Sequence, residues 1–311
     1  MEPKPYKTIF LVLVLGLIVW FSGSSEKKIV SENPGDHYNP KPALLADFVP
    51  PQLLILDDSE NTLPRRNWSV PALEVQAEAA LAMRPDGGRI YYNKNMETKR
   101  PVASLTKLMT AIIVLENYQP DEIITVPVEA VKREGNQGDL RPSEKLTVRS
   151  LLSIMLIDSS NDAAFTLASQ KENFISLMNQ KARDLGLRNT HFTNPDGLDE
   201  EDNYSSAFDI AKIFVYLFGA HPEALDVFKT QNMVVYSADG EITHRLQNTN
   251  ELLGRMNEII GGKTGHTDKA GGSLVLLTKN NIITVVLGSP DRFGESEKLI
   301  KWLRAAYIWE K

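Results

Sequence analysis

Pro101-Val102-Ala103-Ser104-Leu105-Thr106-Lys107 runs straight into Leu108, Met109, Ala111, Ile112, Ile113 and Leu115. Helix formers begin where Ser104 stands. The serine therefore sits at a helix start, and Lys107, three residues on, shares its face. Chemically this is a hydroxyl beside an amine. A serine hydroxyl needs a neighbouring base to become a nucleophile. A lysine serves as that base only after losing its proton, which takes desolvation or a second cation nearby. The helix start adds backbone N–H groups that can hold a developing oxyanion. On its own the pattern equally describes an N-cap serine and a surface lysine, so the rest of the chain has to decide.

Two further stretches carry matching chemistry. Asp158-Ser159-Ser160-Asn161-Asp162-Ala163-Ala164 is a polar break between two helical runs. Ser159 and Asn161, two residues apart, can face one cleft from a single turn. The serine offers a hydroxyl that passes a proton, and the asparagine an amide that both donates and accepts. Gly261-Gly262-Lys263-Thr264-Gly265-His266-Thr267 precedes a strand hairpin. Lys263 is read as a fixed cation and Thr264 as a hydroxyl donor, a pair suited to a substrate carboxylate. Gly265 lets a ligand approach the strand backbone closely. A positive Lys263 close to Lys107 would also favour the neutral amine that a base requires.

The surroundings define the architecture. Ala79–Met83 and Arg89–Asn93 flank Pro85-Asp86-Gly87-Gly88 as a hairpin. Helical patterns follow at 104–116, 147–157 with Thr147 as N-cap, 162–169, 173–185 stopped by Gly186, and 207–218 stopped by Gly219. Strands return at 233–237 and 241–246, then as a hairpin at 272–277 and 282–287. The last pattern, 295–309, is an amphipathic helix with Leu299, Trp302, Leu303 and Ala306 on one face, expected to pack on the sheet. With strands at both ends and helices between them, the fold class is α+β. An antiparallel sheet built from both ends is flanked by helices, with an inserted helical lobe meeting it along a cleft.

The N-terminus has its own character. Lys4 and Lys7 precede the apolar run 9–21, and Ser22-Gly23-Ser24-Ser25 follows. Residues 1–25 read as a signal peptide or an N-terminal membrane anchor. Residues 26–70, with scattered prolines and charge, read as a linker that favours the anchor, with Leu53–Leu56 as a short packed strand. The catalytic domain is then 71–311. Net charge is −6, so no basic surplus points to nucleic acid. The absence of cysteine removes disulfides, thiol nucleophiles and thiolate metal sites. The five histidines show no metal-ligand spacing, and neither metal nor cofactor is expected.

Ser-x-x-Lys, Ser-x-Asn and Lys-Thr-Gly, in that order, form the signature of penicillin-binding proteins and β-lactamases. From about Val75 onward the chain resembles the serine D-alanyl-D-alanine carboxypeptidases, the low-molecular-mass penicillin-binding proteins. The likeness extends to Leu185-Gly186-Leu187, Thr190-His191-Phe192, Asn194-Pro195-Asp196-Gly197-Leu198 and Tyr204-Ser205-Ser206-Ala207-Phe208-Asp209. The resemblance implies a DD-peptidase/β-lactamase-like fold and an envelope enzyme outside the cytoplasmic membrane. It also implies roles. Ser104 would be acylated, Lys107 would take its proton, and Ser159 would pass one to the leaving group. Asn161 would orient the substrate amide, while Lys263 and Thr264 would bind the terminal carboxylate beside Gly265. Backbone N–H groups of Ser104 and His266 would hold the oxyanion. Implied partners are a peptidoglycan stem peptide ending in D-Ala-D-Ala, β-lactams as covalent inhibitors, and a membrane reached through the N-terminal segment. Two alternatives share the motifs: a class A-like β-lactamase, and a non-catalytic protein acylated by penicillin. A lactamase would need a deacylating acid, for which Glu200, Glu201 and Asp202 are nominal candidates. Ser160 stands where the family has glycine, and whether it narrows the cleft is left open by the sequence.

Overall fold

The computed structural model describes residues 64–135 and 138–309. The anchor, the linker up to residue 63 and the strand expected at Leu53–Leu56 lie outside them. In chain order the first elements are β1 (Arg65–Arg66), β2 (Ala79–Met83), β3 (Ile90–Lys94), a 3₁₀ turn (Ala103–Thr106) and α1 (Lys107–Asn117). Next come β4 (Ile123–Thr125), a 3₁₀ turn (Ala130–Lys132), β5 (Lys145–Thr147), α2 (Val148–Ile157), α3 (Asn161–Ala168) and α4 (Phe174–Asp184). Then follow α5 (Ala207–Ala220), α6 (Ala224–Lys229), β6 (Asn232–Tyr236) and β7 (Thr243–Gln247). The chain closes with β8 (Ile259–Thr267), β9 (Gly271–Thr278), β10 (Ile283–Ser289), α7 (Arg292–Ala306) and β11 (Tyr307–Ile308).

A five-stranded antiparallel sheet in the order β3-β2-β10-β9-β8 forms the frame. It draws strands from both ends of the domain, as the pattern predicts. Every residue of β2 is buried because both faces of the sheet are covered. Ala79, Leu81 and Met83 join the core shared with α1 and α5, while Ala80 and Ala82 meet Leu299, Leu303 and Ala306 of α7. The terminal helix thus packs on the sheet. Truncating Leu81 or Leu299 to alanine would cost about 2–5 kcal/mol through lost burial and a residual cavity.

Helix α1 lies inside the molecule, with Lys107 through Val114 all buried. Its apolar character all round is what an interior helix requires. It ends at Tyr118, whose backbone is extended; Pro120 follows shortly. Helices α2, α3 and α5 start on side-chain caps from Thr147, Ser160 and Ser206.

Several boundaries differ from expectation. Gly219 does not stop α5, which runs to Ala220 before His221 and Pro222. The strands expected at 233–237 and 241–246 form a separate two-stranded ladder, β6–β7, outside the central sheet. The final helix begins at Arg292, capped by the Asp291 side chain, and ends at Ala306. Beyond it, Tyr307–Ile308 pairs with Arg65–Arg66, inside the stretch read as the end of the linker. No helix of the described residues is long and apolar enough to cross a membrane.

Candidate active site

The 3₁₀ turn before α1 sets the position of Ser104. Ala103 enters it at φ +51°, a conformation that alanine adopts only under constraint. The constraint is visible on two sides. A β-carbon on Gly197 would lie 2.0 Å from the Ala103 carbonyl oxygen, and one on Gly265 would lie 3.0 Å from Ser104 N. Only glycine permits the 194–198 loop and strand β8 to press on the turn this closely.

One turn of helix brings Lys107 Nζ to 2.8 Å from Ser104 Oγ. The same nitrogen donates to Asn161 Oδ1 at 2.6 Å and to the Asp196 carbonyl at 2.7 Å. Asn161 is the first residue of α3, and its Nδ2 donates to the Glu134 carbonyl at 2.7 Å, which fixes the orientation of the amide. A neutral amine has two N–H donors and one lone pair. Asn161 and Asp196 supply two acceptors that cannot donate back, so the lone pair is left for the Ser104 hydroxyl. Lys107 is fully buried, and burial pushes its pKa down to about 7. The Asp196 and Asp162 carboxylates oppose this shift, and the Arg133 charge assists it.

The second and third motifs meet opposite. Ser159 holds φ +62° between α2 and α3, and its Oγ lies 2.7 Å from Lys263 Nζ. Lys263, on β8, is 1% exposed and donates also to the Thr264 carbonyl. Burial, then the charges of Lys107 and Arg292, push its pKa well below the usual lysine range, with Asp158 opposing. Lys263, read from the sequence as a fixed cation, thus lies in surroundings that work against its charge. Thr264 Oγ1 shares a hydrogen with Thr249 Oγ1 at 2.6 Å. Gly265 is buried against the Ser104 turn, and the His266 side chain is exposed.

Ser104, Lys107 and Asn161 thus meet, Ser159 meets Lys263, and Gly265 abuts the Ser104 turn. Ser160 takes the N-cap of α3. Its side chain is buried, caps α3 by accepting from Ala163 N at 2.9 Å and bonds the Asp162 carboxylate, so it does not narrow the cleft. Glu200 accepts from Asn194 Nδ2 at 2.9 Å, and Asp199 accepts from Thr267 Oγ1 at 2.7 Å and Lys269 N at 3.3 Å. Among the described residues no carboxylate is hydrogen-bonded to Ser104, Lys107, Ser159 or Lys263. Arg133, Thr249 and Arg292 escaped the sequence reading; a lone arginine in a loop and a lone threonine carry no spacing that marks them.

The chain is 31% identical to the D-alanyl-D-alanine carboxypeptidase DacF of Bacillus subtilis over 252 residues, 75% of this chain and 62% of that protein. It is 30% identical to the D-alanyl-D-alanine endopeptidase of Pseudomonas aeruginosa, covering 76% of this chain and 79% of that one. The crystal structure of the Streptomyces K15 DD-transpeptidase superposes with a TM-score of 0.71 at 31% identity, covering 76% of this chain and all of that one. The chain therefore spans under two thirds of the Bacillus relative. The family model described as D-alanyl-D-alanine carboxypeptidase matches residues 66–291, and the chain belongs to that family.

Proposed function

We propose that the protein is a serine-type D-Ala-D-Ala carboxypeptidase that removes the terminal D-alanine of peptidoglycan stem peptides. The observation that carries this reading is the Lys107 amine, held by Asn161 and the Asp196 carbonyl with its remaining position on Ser104 Oγ. In this reading the substrate carboxylate docks on Lys263 and Thr264, and its negative charge restores the proton that burial disfavours on Lys263. Asn161 orients the substrate amide. Ser104 Oγ attacks the penultimate D-alanine carbonyl while its proton passes to Lys107. Backbone N–H groups of Ser104 and His266 receive the oxyanion. Lys107 hands that proton on through Ser159, which is bonded to Lys263, to the leaving amine and is neutral again. D-Alanine departs, and water attacks the ester with Lys107 again as base.

β-Lactams enter as covalent inhibitors of the same serine. Their leaving amine stays tethered after ring opening and obstructs the water. A lactamase overcomes this with a carboxylate that activates a water; of the acids named for that part, Glu200 is engaged by the Asn194 side chain. The same reading assigns residues 1–25 to a signal peptide or anchor, 26–70 to a linker and 71–311 to the catalytic domain, outside the cytoplasmic membrane in the bacterial envelope. The experiment is a side-by-side turnover assay with a D-Ala-D-Ala muropeptide and a penicillin, with Ser104→Ala as the blank. Release of D-alanine with slow penicillin hydrolysis is expected. Rapid penicillin turnover without D-alanine release overturns the reading, and N-terminal sequencing of native protein tests the export segment.

A further inference from the structure

The loop that carries Asp196 is held from two directions. Its backbone faces the nucleophile: the Asp196 carbonyl accepts from Lys107 at 2.7 Å, and the Pro195 carbonyl accepts from Thr110 Oγ1 at 2.6 Å. The Asp196 carboxylate turns the other way. Its Oδ2 accepts from Arg133 Nε at 2.8 Å and from an Arg133 terminal nitrogen at 2.6 Å, and its Oδ1 accepts from Leu198 N at 3.3 Å. Asp196 is 1% exposed, so the ion pair is buried on its anionic side. Arg133 also lies over the Phe165 ring of α3, 5.3 Å from its centre, and the neighbouring Glu134 holds Asn161. One arginine thus ties the 130–135 loop, α3 and the 194–198 loop together around the lysine.

A buried carboxylate beside a lysine that must shed its proton works against the chemistry, because an uncompensated negative charge holds the ammonium. The groups that act on Lys107 come from every element around it. They are Ser104 from its own turn, Asn161 and the Asp162 carboxylate from α3, Asp196 from the loop, Arg133 from the preceding segment and Lys263 from β8. Asp162 is already occupied by Gly138 N and Leu140 N. Asp196 is the other acid, and Arg133 is its counter-charge. We propose that Arg133 is a positioning residue: it neutralises Asp196 and holds the Asp196 carbonyl on Lys107, keeping that lysine ready to take the Ser104 proton. The inference rests on the reading of Lys107 as the base.

The test measures second-order acylation by a fluorescent penicillin across about pH 5 to 10 for the wild type, Arg133→Met, Asp196→Asn and the double variant. Arg133→Met should move the acidic limb upward by about one unit, a roughly tenfold loss of rate on the acid side. Asp196→Asn should move the limb downward, and the double variant should bring it back to the wild-type position or below. A merely structural arginine would lower the rate at all pH values and leave the limb in place. An unmoved limb in Arg133→Met, or a double variant that behaves like that single variant, overturns the proposal. If Arg133→Met fails to fold, Asp196→Asn decides: a limb that does not fall overturns it. Lys107→Ala separates the two readings. Retained acylation with a wild-type limb removes Lys107 as the base. Lost acylation there, with an unmoved limb in Arg133→Met, removes only the role of Arg133.

Discussion

Gly197 and Ala103 are in such close backbone contact that no side chain fits between them: a β-carbon at 197 would fall 2.0 Å from the Ala103 carbonyl oxygen and 3.0 Å from Ser104 N. Gly197 also holds φ +87°, which a substituted residue resists. Gly197→Ala should therefore push the nucleophile turn away from the loop. The expected cost is about 1–3 kcal/mol of stability from overpacking, with acylation reduced more than tenfold. Urea midpoints and penicillin labelling on one preparation check both numbers. A variant with wild-type labelling would show that the contact does not position Ser104.

The Lys107 pKa of about 7 has two pH consequences. Acylation requires the neutral amine, so its rate should fall as pH drops below about 7. Stability moves in the same direction for a separate reason. The unfolded lysine holds its proton to about pH 10.4, and the folded one only to about 7. Between these values the unfolded chain binds more protons, so this group's contribution to stability rises with pH across that window. Comparing the pH slope of wild-type denaturation midpoints with that of Lys107→Met isolates the effect. A steeper rise in the wild type is expected; parallel slopes would contradict it.

Asp199 fastens the acidic stretch to the turn after β8, through Thr267 Oγ1 and Lys269 N. Asp199→Ala removes both bonds at one edge of the cleft. Stability should fall by about 1.5–3 kcal/mol, the range for hydrogen bonds to a charged group. KM for a D-Ala-D-Ala peptide should rise several-fold with kcat changed less. Asp199→Asn, which keeps an acceptor for Thr267, should recover most of the loss. Equal effects of the two substitutions would point to charge rather than to the bond.

Ser160 caps α3 rather than entering the cleft. Ser160→Ala should cost about 1 kcal/mol, as the loss of an N-cap does. Acylation at saturating penicillin should stay within about twofold of wild type, since the cap leaves the position of Asn161 to its bonds with Glu134 and Lys107. A large rate gain on removing the hydroxyl would mean that it obstructs the substrate after all.

What the sequence discloses follows from the range over which each interaction acts. The Ala79–Lys94 hairpin announces itself through the turn residues Pro85-Asp86-Gly87-Gly88, and α2 through Thr147. Strand β8 is harder to read, because Gly261, Gly262, Lys263 and Gly265 deny it the β-branched alternation of an ordinary strand. The β1–β11 pair has two residues on each side and joins chain segments at opposite ends of the domain, so no local pattern reports it. The site divides in the same way. Ser104 with Lys107 and Ser159 with Asn161 are local spacings. Arg133 reaches Asp196 across 63 positions and Thr249 reaches Thr264 across 15, and nothing in their own neighbourhoods marks either.

The β1–β11 ladder also governs how the domain bears a load. Arg65 pairs with Ile308 and Arg66 with Tyr307, so the chain enters and leaves the domain side by side. Tension applied between those two ends opens an antiparallel ladder one rung at a time, like a zip. It does not shear several hydrogen bonds together. The first event under force is therefore the parting of β1 from β11, and the five-stranded sheet and the Ser104 turn lie behind that break. A stretch between both ends would thus peel the domain from the edge inward.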